Sequence, residues 1–410
     1  MGRTSILMVM GFNVIFALMG FSLSRVTEEA VKNYSLYYTN AAVHNMAASA
    51  ANIAANQIFF TPNWREGYSN VPFAGGTYSV QVKDLPNRRI QITARATTQG
   101  PDETTGEYEN KTATIIIVMQ PSSFSKFAYY SVVEGGIYWI TGDTVWGPFH
   151  TQSKLSVSGN PVFYGKVTAK NGLFKSPSSS KPKFYGGFQS GVSINLPSDM
   201  SPLEGAAQSG GKYFTSGADV SLTFNADGTV TWQEGGNPPM TEPLSTFAPN
   251  GVVYAKNANV RMKGTLKGRV TVTATGSSGL GKGNVYLDDN IVYSKDPSDP
   301  ECDDMLGITA DNNVIITDNA ANNNDINVHA SIFCRTGGFT AQNYNTRPIA
   351  GTINLVGGIQ QYQRGPVGTF SGGSINHGFQ KNYRYDERLM TDLPPFYPTT
   401  GSYEILSWYE

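Results

Sequence analysis

Four histidines, two cysteines and a few clustered carboxylates are the residues of this 410-residue chain best suited to chemistry. His44, His150, His329 and His377 are scattered, and there is no H-E-x-x-H, no C-x-x-C and no G-x-S-x-G. Neither a transition-metal centre nor a hydrolase nucleophile elbow is therefore indicated. Asp288, Asp289, Asp311 and Asp318 fall in strand-rich sequence with Tyr286 and Tyr293 beside them. Carboxylates and rings gathered on one face would suit a glycan-binding or glycan-cleaving surface, since glycoside hydrolysis needs paired carboxylates. The competing reading makes these aspartates turn residues that satisfy nearby backbone donors. The segment from Asp296 to Asp304 packs five carboxylates, Asp299, Glu301 and Asp303 among them, into nine residues. Oxygen ligands at that density could hold Ca²⁺, but the spaced D-x-[DN]-x-[DN]-G loop is missing, and a solvated acidic loop is the plainer expectation. No other cofactor and no catalytic residue is expected. Cys302 and Cys334 would form a disulfide if the body lies outside the cytoplasm; two free buried thiols are the alternative.

The elements that hold these residues are foreshadowed by composition. Lys and Arg total 30 against 31 Asp and Glu, a net charge of −1, so no global field draws in nucleic acid. Charged residues are only 15 %, while 44 Gly, 22 Pro and 12 % aromatic residues point to short strands joined by many turns. An apolar fraction of 40 % is enough for a packed core. A coiled coil, a basic DNA binder and a polytopic membrane protein are excluded.

The first sixty residues differ from the rest. Ser5 to Leu23 is a 19-residue apolar run with polar interior positions only at Asn13 and Ser22, about the length of a membrane-spanning helix. A cleaved signal peptide ending at Ser22-Leu23-Ser24 is the competitor, but its apolar core would be too long. From Val26 to Phe60 there is no Gly or Pro, and Ala recurs at 41, 42, 47, 48, 50, 51, 54 and 55. Helix propensity makes the whole stretch one helix, about 80 Å long at 1.5 Å per residue.

Gly2-Arg3-Thr4-Ser5-Ile6-Leu7, then Gly20-Phe21-Ser22-Leu23-Ser24, Glu28-Glu29 and Asn33, resemble the N-terminus of prepilin-like proteins, most closely the minor pilins of type IV pili. The resemblance covers about 60 residues. It implies a leader cut after Gly2, with Arg3 as the first mature residue, and a helix that sits in the inner membrane before packing in a filament core. Leu7 stands where major pilins carry a glutamate.

Beyond the helix, Thr77–Val82, Arg89–Thr97 and Thr112–Met119 alternate apolar and polar residues, as a half-buried antiparallel sheet requires. A small sheet on the distal half of a long helix also resembles a pilin head. From Ser122 to about Phe370 only Pro202–Ala207 reads as a helix; the rest is short strands with Asn, Asp and Gly at corners. Tyr286–Val292 is echoed by Ile308–Ile315, with Asp288 and Asp311 offset by 23 residues. Such a period predicts a β-solenoid, in which rungs stack about 4.8 Å apart. A β-sandwich or jelly roll is the alternative.

The ending, with Tyr383-Arg384-Tyr385-Asp386, Leu393-Pro394-Pro395-Phe396-Tyr397-Pro398 and Glu404-Ile405-Leu406-Ser407-Trp408-Tyr409-Glu410, resembles an uncharacterised bacterial envelope family that joins a prepilin-like N-terminus to a strand-rich body. The expected organisation is a helix over 1–60, a small sheet over 61–121, a right-handed parallel β-helix over 122–372 and a C-terminal cap over 373–410. The expected class is mainly β with a long N-terminal helix. The expected role is structural and non-enzymatic, as a pilus-like or secretion-like subunit, with adhesion as an added role. It would sit in the inner membrane or on the cell surface, with the membrane (through residues 5–23) and other prepilin-like subunits as partners, a surface glycan as a further one, and no nucleic acid. The alternative is a membrane-anchored polysaccharide-binding or polysaccharide-cleaving protein.

Overall fold

The computed structural model describes residues 2–410 except 87, 103, 104, 106, 198, 199, 372 and 373. The chain is mainly β with one long helix, and it divides into two compact units: residues up to Pro121 with Ser402–Glu410, and Ser122–Gly401.

In the first unit, helix α1 (Gly2–Phe60) runs unbroken until Thr61, whose N–H still bonds to the Gln57 carbonyl before Pro62 ends the register. Four strands follow: β1 (Tyr68–Phe73), β2 (Gly76–Leu85), β3 (Arg89–Pro101) and β4 (Tyr108–Ser123). They pair antiparallel in sequence order, and the C-terminal strand Thr399–Tyr409 adds beside β4. Val43, Met46, Ala47, Ala50, Ala51, Ala54 and Ile58 recur at helical spacing and pack on Val80, Ile90, Ile92, Ala94, Ile115 and Ile117. The alanines let helix and sheet approach closely. A Cβ on Gly76 would lie 2.6 Å from Met46 Cε, and one on Gly100 would lie 2.3 Å from Thr39 Cγ2.

The second unit is built mainly from parallel ladders, with antiparallel pairing of Val220–Phe224 with Thr229–Glu234, of Thr229–Glu234 with Met240–Pro243 and of Gly368–Ser371 with Ser374–Arg384. One runs in space through Lys212–Phe214, Val252–Ala255, Arg269–Ala274, Met305–Ala310, Ile326–Cys334, Ile349–Gln363, Tyr129–Val133, Phe149–Thr151, Val167–Ala169 and Phe188–Ser190. Its order is not that of the chain. The polypeptide enters at Tyr129, winds to one end at Phe188–Ser190, returns past Ile194, and starts again at the other end through helix α2 (Ser201–Gly210). The return is pinned by the Tyr130 hydroxyl, which donates to the Ile194 carbonyl over 2.6 Å. The last turns then wind back until Ile359–Gln363 pairs with Tyr129–Val133. A second ladder links Val220–Phe224, Val260–Leu266, Val285–Tyr293, Val314–Ile316 and Phe339–Ala341. A third joins Ile326–Cys334, Ile349–Gln363 and Ser374–Arg384, and reaches Thr144–Val145, Val162–Phe163 and Lys183–Phe184 through the Trp146–Arg384 bridge. One apolar core of Val, Ile, Leu, Ala and Phe fills the space they enclose.

Several expectations are corrected. Parallel ladders are at odds with the antiparallel strands of a sandwich or jelly roll. The 23-residue echo is not a rung-to-rung match: Leu287 pairs with Ile316, whereas Ala310 pairs with Ala274 and Cys334. Residues 373–410 do not form a separate cap, because Ser374–Arg384 pairs with Ile349–Gln363 in the third ladder and Thr399–Tyr409 is an edge strand of the first unit's sheet. Between them Tyr397 is buried beside Phe333, and Arg269 holds Asp392 at 2.6 Å. Helix α2 starts next to Pro202, as expected, with Met200 at its cap and no side-chain bond there.

Candidate functional site

The chemistry-bearing residues are dispersed. His44 faces Glu410 at 3.7 Å, and His377 Nδ1 lies 3.0 Å from the Arg347 carbonyl. His329 Nδ1 accepts the Tyr293 N–H at 3.2 Å. His150 is buried, stacked on Tyr130 with ring centroids 5.3 Å apart and bonded to Thr168 Oγ1 at 2.7 Å. Burial lowers its pKa from 6.5 to about 4, so it is neutral at physiological pH. Each histidine thus has its own local partner on a different element.

The carboxylates follow the turn-and-pair reading. Asp288 forms a two-point ion pair with Arg261 (2.5 and 2.8 Å), whose guanidinium also covers the Tyr286 ring. Asp289 accepts from the N–H of its neighbour Asn290. Asp311, on another ladder, pairs with Arg335 Nε at 2.7 Å and accepts from the Gly276 N–H at 3.0 Å. Asp318 accepts from Asn343 Nδ2 at 2.9 Å. Tyr293, expected to stack on sugar, is buried, and its hydroxyl accepts the Leu306 N–H.

In the acidic loop Asp299 accepts from the Glu301 N–H, Glu301 pairs with Lys295 at 2.8 Å, and Asp303 is exposed. The residue that organises the loop is Asp304, whose significance the sequence did not signal. It is buried and accepts from the Gly268 and Ser294 N–H groups and the Ser294 hydroxyl, tying the loop to an adjacent rung. Among the described residues no group of three or more His, Cys, Asp or Glu side chains is placed to hold a metal ion.

The expected disulfide is absent. Cys302 and Cys334 carry free, buried thiols. Cys334 pairs in register with Ala310, at the C-terminal end of Met305–Ala310, while Cys302 precedes the other end of that strand. Five residue steps at about 3.3 Å separate the ends by roughly 16 Å, more than twice the Cα span of a disulfide. Burial pushes the Cys334 thiol up to about 12.

What the structure does present is the front of α1. Every large apolar side chain from Ile6 to Val31 is at least 51 % exposed, whereas Ala47, Ala50, Ala51, Ala54 and Ile58 are fully buried. One continuous helix therefore has two environments. It is the one helix among the described residues long and apolar enough to cross a membrane. Gly2 opens it; Arg3 is helical, its side chain lies outside the described residues, and Leu7 projects freely.

No family model and no curated protein matches this chain. Among solved structures it is similar to the competence-associated pilin ComZ from Thermus thermophilus, at 11 % identity over 84 % of this chain and 86 % of that one, with a TM-score of 0.32.

An exposed apolar helix some twenty residues long is costly to keep in water. Burying one Leu, Ile, Phe or Met side chain is worth about 1.5–3 kcal/mol, so the front of α1 strongly favours a bilayer or a bundle of like helices. The small residues Gly11, Ala17 and Gly20 along it permit close helix approach in either setting.

Proposed function

We propose that the chain is a prepilin-like structural subunit of a type IV pilus-like filament or secretion apparatus. Residues 5–23 cross the inner membrane before assembly and are buried among like helices afterwards, while the body is displayed outside the cytoplasm or at the cell surface. The carrying observation is the two-environment helix: its rear half is sealed by the head sheet and its front half is apolar and bare. The N-terminal resemblance supports processing after Gly2, with Leu7 replacing the glutamate of major pilins. We read the body as a right-handed parallel β-helix. The stacked parallel ladders support that reading, and strand–crossover–strand connections are right-handed almost without exception. A rigid stack of this kind suits a spacer or adhesive element, and the reading assigns it no catalysis.

Mass spectrometry of the native N-terminus, combined with cross-linking between cysteines introduced at Ile15 and Phe16, tests this reading. A start at Arg3 and helix–helix cross-links in a sedimenting assembly are expected. A start at Arg25 with a freely soluble monomer would overturn it, as would an intact Met1 with no cross-link.

A further inference from the structure

The near-neutral total conceals a segregated charge. Between residues 144 and 198 there are six lysines, Lys154, Lys166, Lys170, Lys175, Lys181 and Lys183, and no Asp, Glu or Arg. This stretch carries +6 in a chain of −1. All six lysines are exposed, and none pairs with a carboxylate among the described residues. The stretch forms one end of the body, so the charge is concentrated at that end, with Lys175 on a different ladder from Lys183.

On the same rungs an aromatic column stands in solvent. The third ladder aligns Val145, Phe163 and Phe184, so the residues that follow each of them fall in line on the outside. Trp146 and Tyr164 stack with centroids 3.9 Å apart and planes 11° apart; Tyr164 and Tyr185 follow at 5.1 Å and 16°. They are 50 %, 42 % and 64 % exposed. Large rings left in water at that level are unusual unless they contact something. Lys183 lies two residues from Tyr185 on the same side of its strand, and Lys166 lies two residues beyond Tyr164, just before the strand Val167–Ala169. One column over, Asn382 Nδ2 donates to Asn354 Oδ1 at 2.9 Å, extending a line of exposed amides, and Arg384 flanks Trp146.

We propose that this face binds a linear acidic polysaccharide. The ring faces within the column are taken up by mutual stacking, so nucleobases cannot lie between them as they do on single-strand binding platforms. What remains is an array of ring edges, tyrosine hydroxyls and amides in line along the ladder, with the Lys183 and Lys166 ammonium groups close to them in the chain. Hydroxyls and amides match sugar hydroxyls, and ammonium point charges match carboxylates. Apart from Arg384 beside Trp146, the cations of this face are lysines, point charges rather than the guanidinium fork favoured for phosphate. The inference goes beyond the filament reading and is independent of how α1 is processed.

The test uses full-length protein in detergent and measures binding to polygalacturonate, neutral dextran and single-stranded DNA at low and high salt. Polygalacturonate should bind, dextran should bind at least tenfold more weakly, and salt should weaken the former. The paired substitution Lys166→Glu with Lys183→Glu should lower polygalacturonate affinity at least tenfold, and Tyr185→Ala should do so separately, with unfolding midpoints unchanged. Lys267→Glu, exposed elsewhere on the body, should have no effect. Tighter binding of DNA than of polygalacturonate, no binding to either, or indifference to both sets of substitutions would overturn the proposal.

Discussion

Arg364 Nη1 lies 3.2 Å from Glu134 Oε2 in the interior of the body, joining residues 230 positions apart in the chain. Both side chains are about 95 % buried. Glu134 also accepts from the Tyr129 hydroxyl and Trp139 Nε1, each at 3.2 Å, and from the Ser131 hydroxyl; the guanidinium lies 4.2 Å from the Trp139 ring centre. The pair sits where the strand ending at Gln363 pairs in parallel with Tyr129–Val133, joining the late and early strands of the body. A buried ion pair contributes little beyond an apolar replacement of equal volume, but losing one partner strands a charge.

Arg364→Met is therefore expected to destabilise the body by about 3–5 kcal/mol. Adding Glu134→Gln to it should recover part of that loss, because the remaining polar group is then neutral. Urea unfolding of the single and double variants gives the coupling. Strict additivity would show that the pair does not act as a unit.

Local signals in the chain were readable and distant ones were not. The helix, the strands near Thr77–Val82, Arg89–Thr97 and Thr112–Met119, and the Asn- and Asp-cornered strands all follow from propensity and period, which act over a few residues. The strand Thr399–Tyr409 could not be placed this way, since its neighbour β4 is nearly 280 residues earlier and both edges of a sheet accept the same pattern. The entry of the chain in the middle of the first ladder is hidden for the same reason: strand order is set by which edges remain open. Asp288 and Asp311 looked equivalent because turn chemistry recurs at every corner, whichever ladder the corner serves. The lysine run was visible in principle, but a whole-chain charge of −1 averages it away.

His150 makes the body sensitive to acid. Burial lowers its folded pKa to about 4, against 6.5 in an unfolded chain, so between those values the unfolded state binds the proton and the folded state does not. The contribution is complete above pH 6.5 and is lost as pH falls toward 4, by roughly 2–3 kcal/mol at most. Among the described residues the ring Nε2 has no hydrogen-bond partner, so protonation would place an unsatisfied charge among Tyr130 and Phe127. His150→Gln should flatten the profile of unfolding free energy between pH 7 and pH 4. A variant as acid-labile as the parent would assign the sensitivity to other groups.

The two environments of α1 give opposite responses to substitution. Ala50 is fully buried against the head sheet, so Ala50→Leu overfills the seam and should destabilise the first unit by about 1–3 kcal/mol. Val14 is 59 % exposed at the middle of the apolar run, so Val14→Asp removes no packing within the chain. An Asp at the centre of a bilayer helix costs about 2.5–3.5 kcal/mol, enough to shift membrane partition roughly a hundredfold. Val14→Asp should therefore leave the thermal unfolding of the detergent-solubilised protein unchanged while moving it out of the membrane fraction. A drop in thermal stability as large as that of Ala50→Leu would mean that the front of the helix is packed within its own chain, and the assignment of that surface to a membrane or to neighbouring helices would fail.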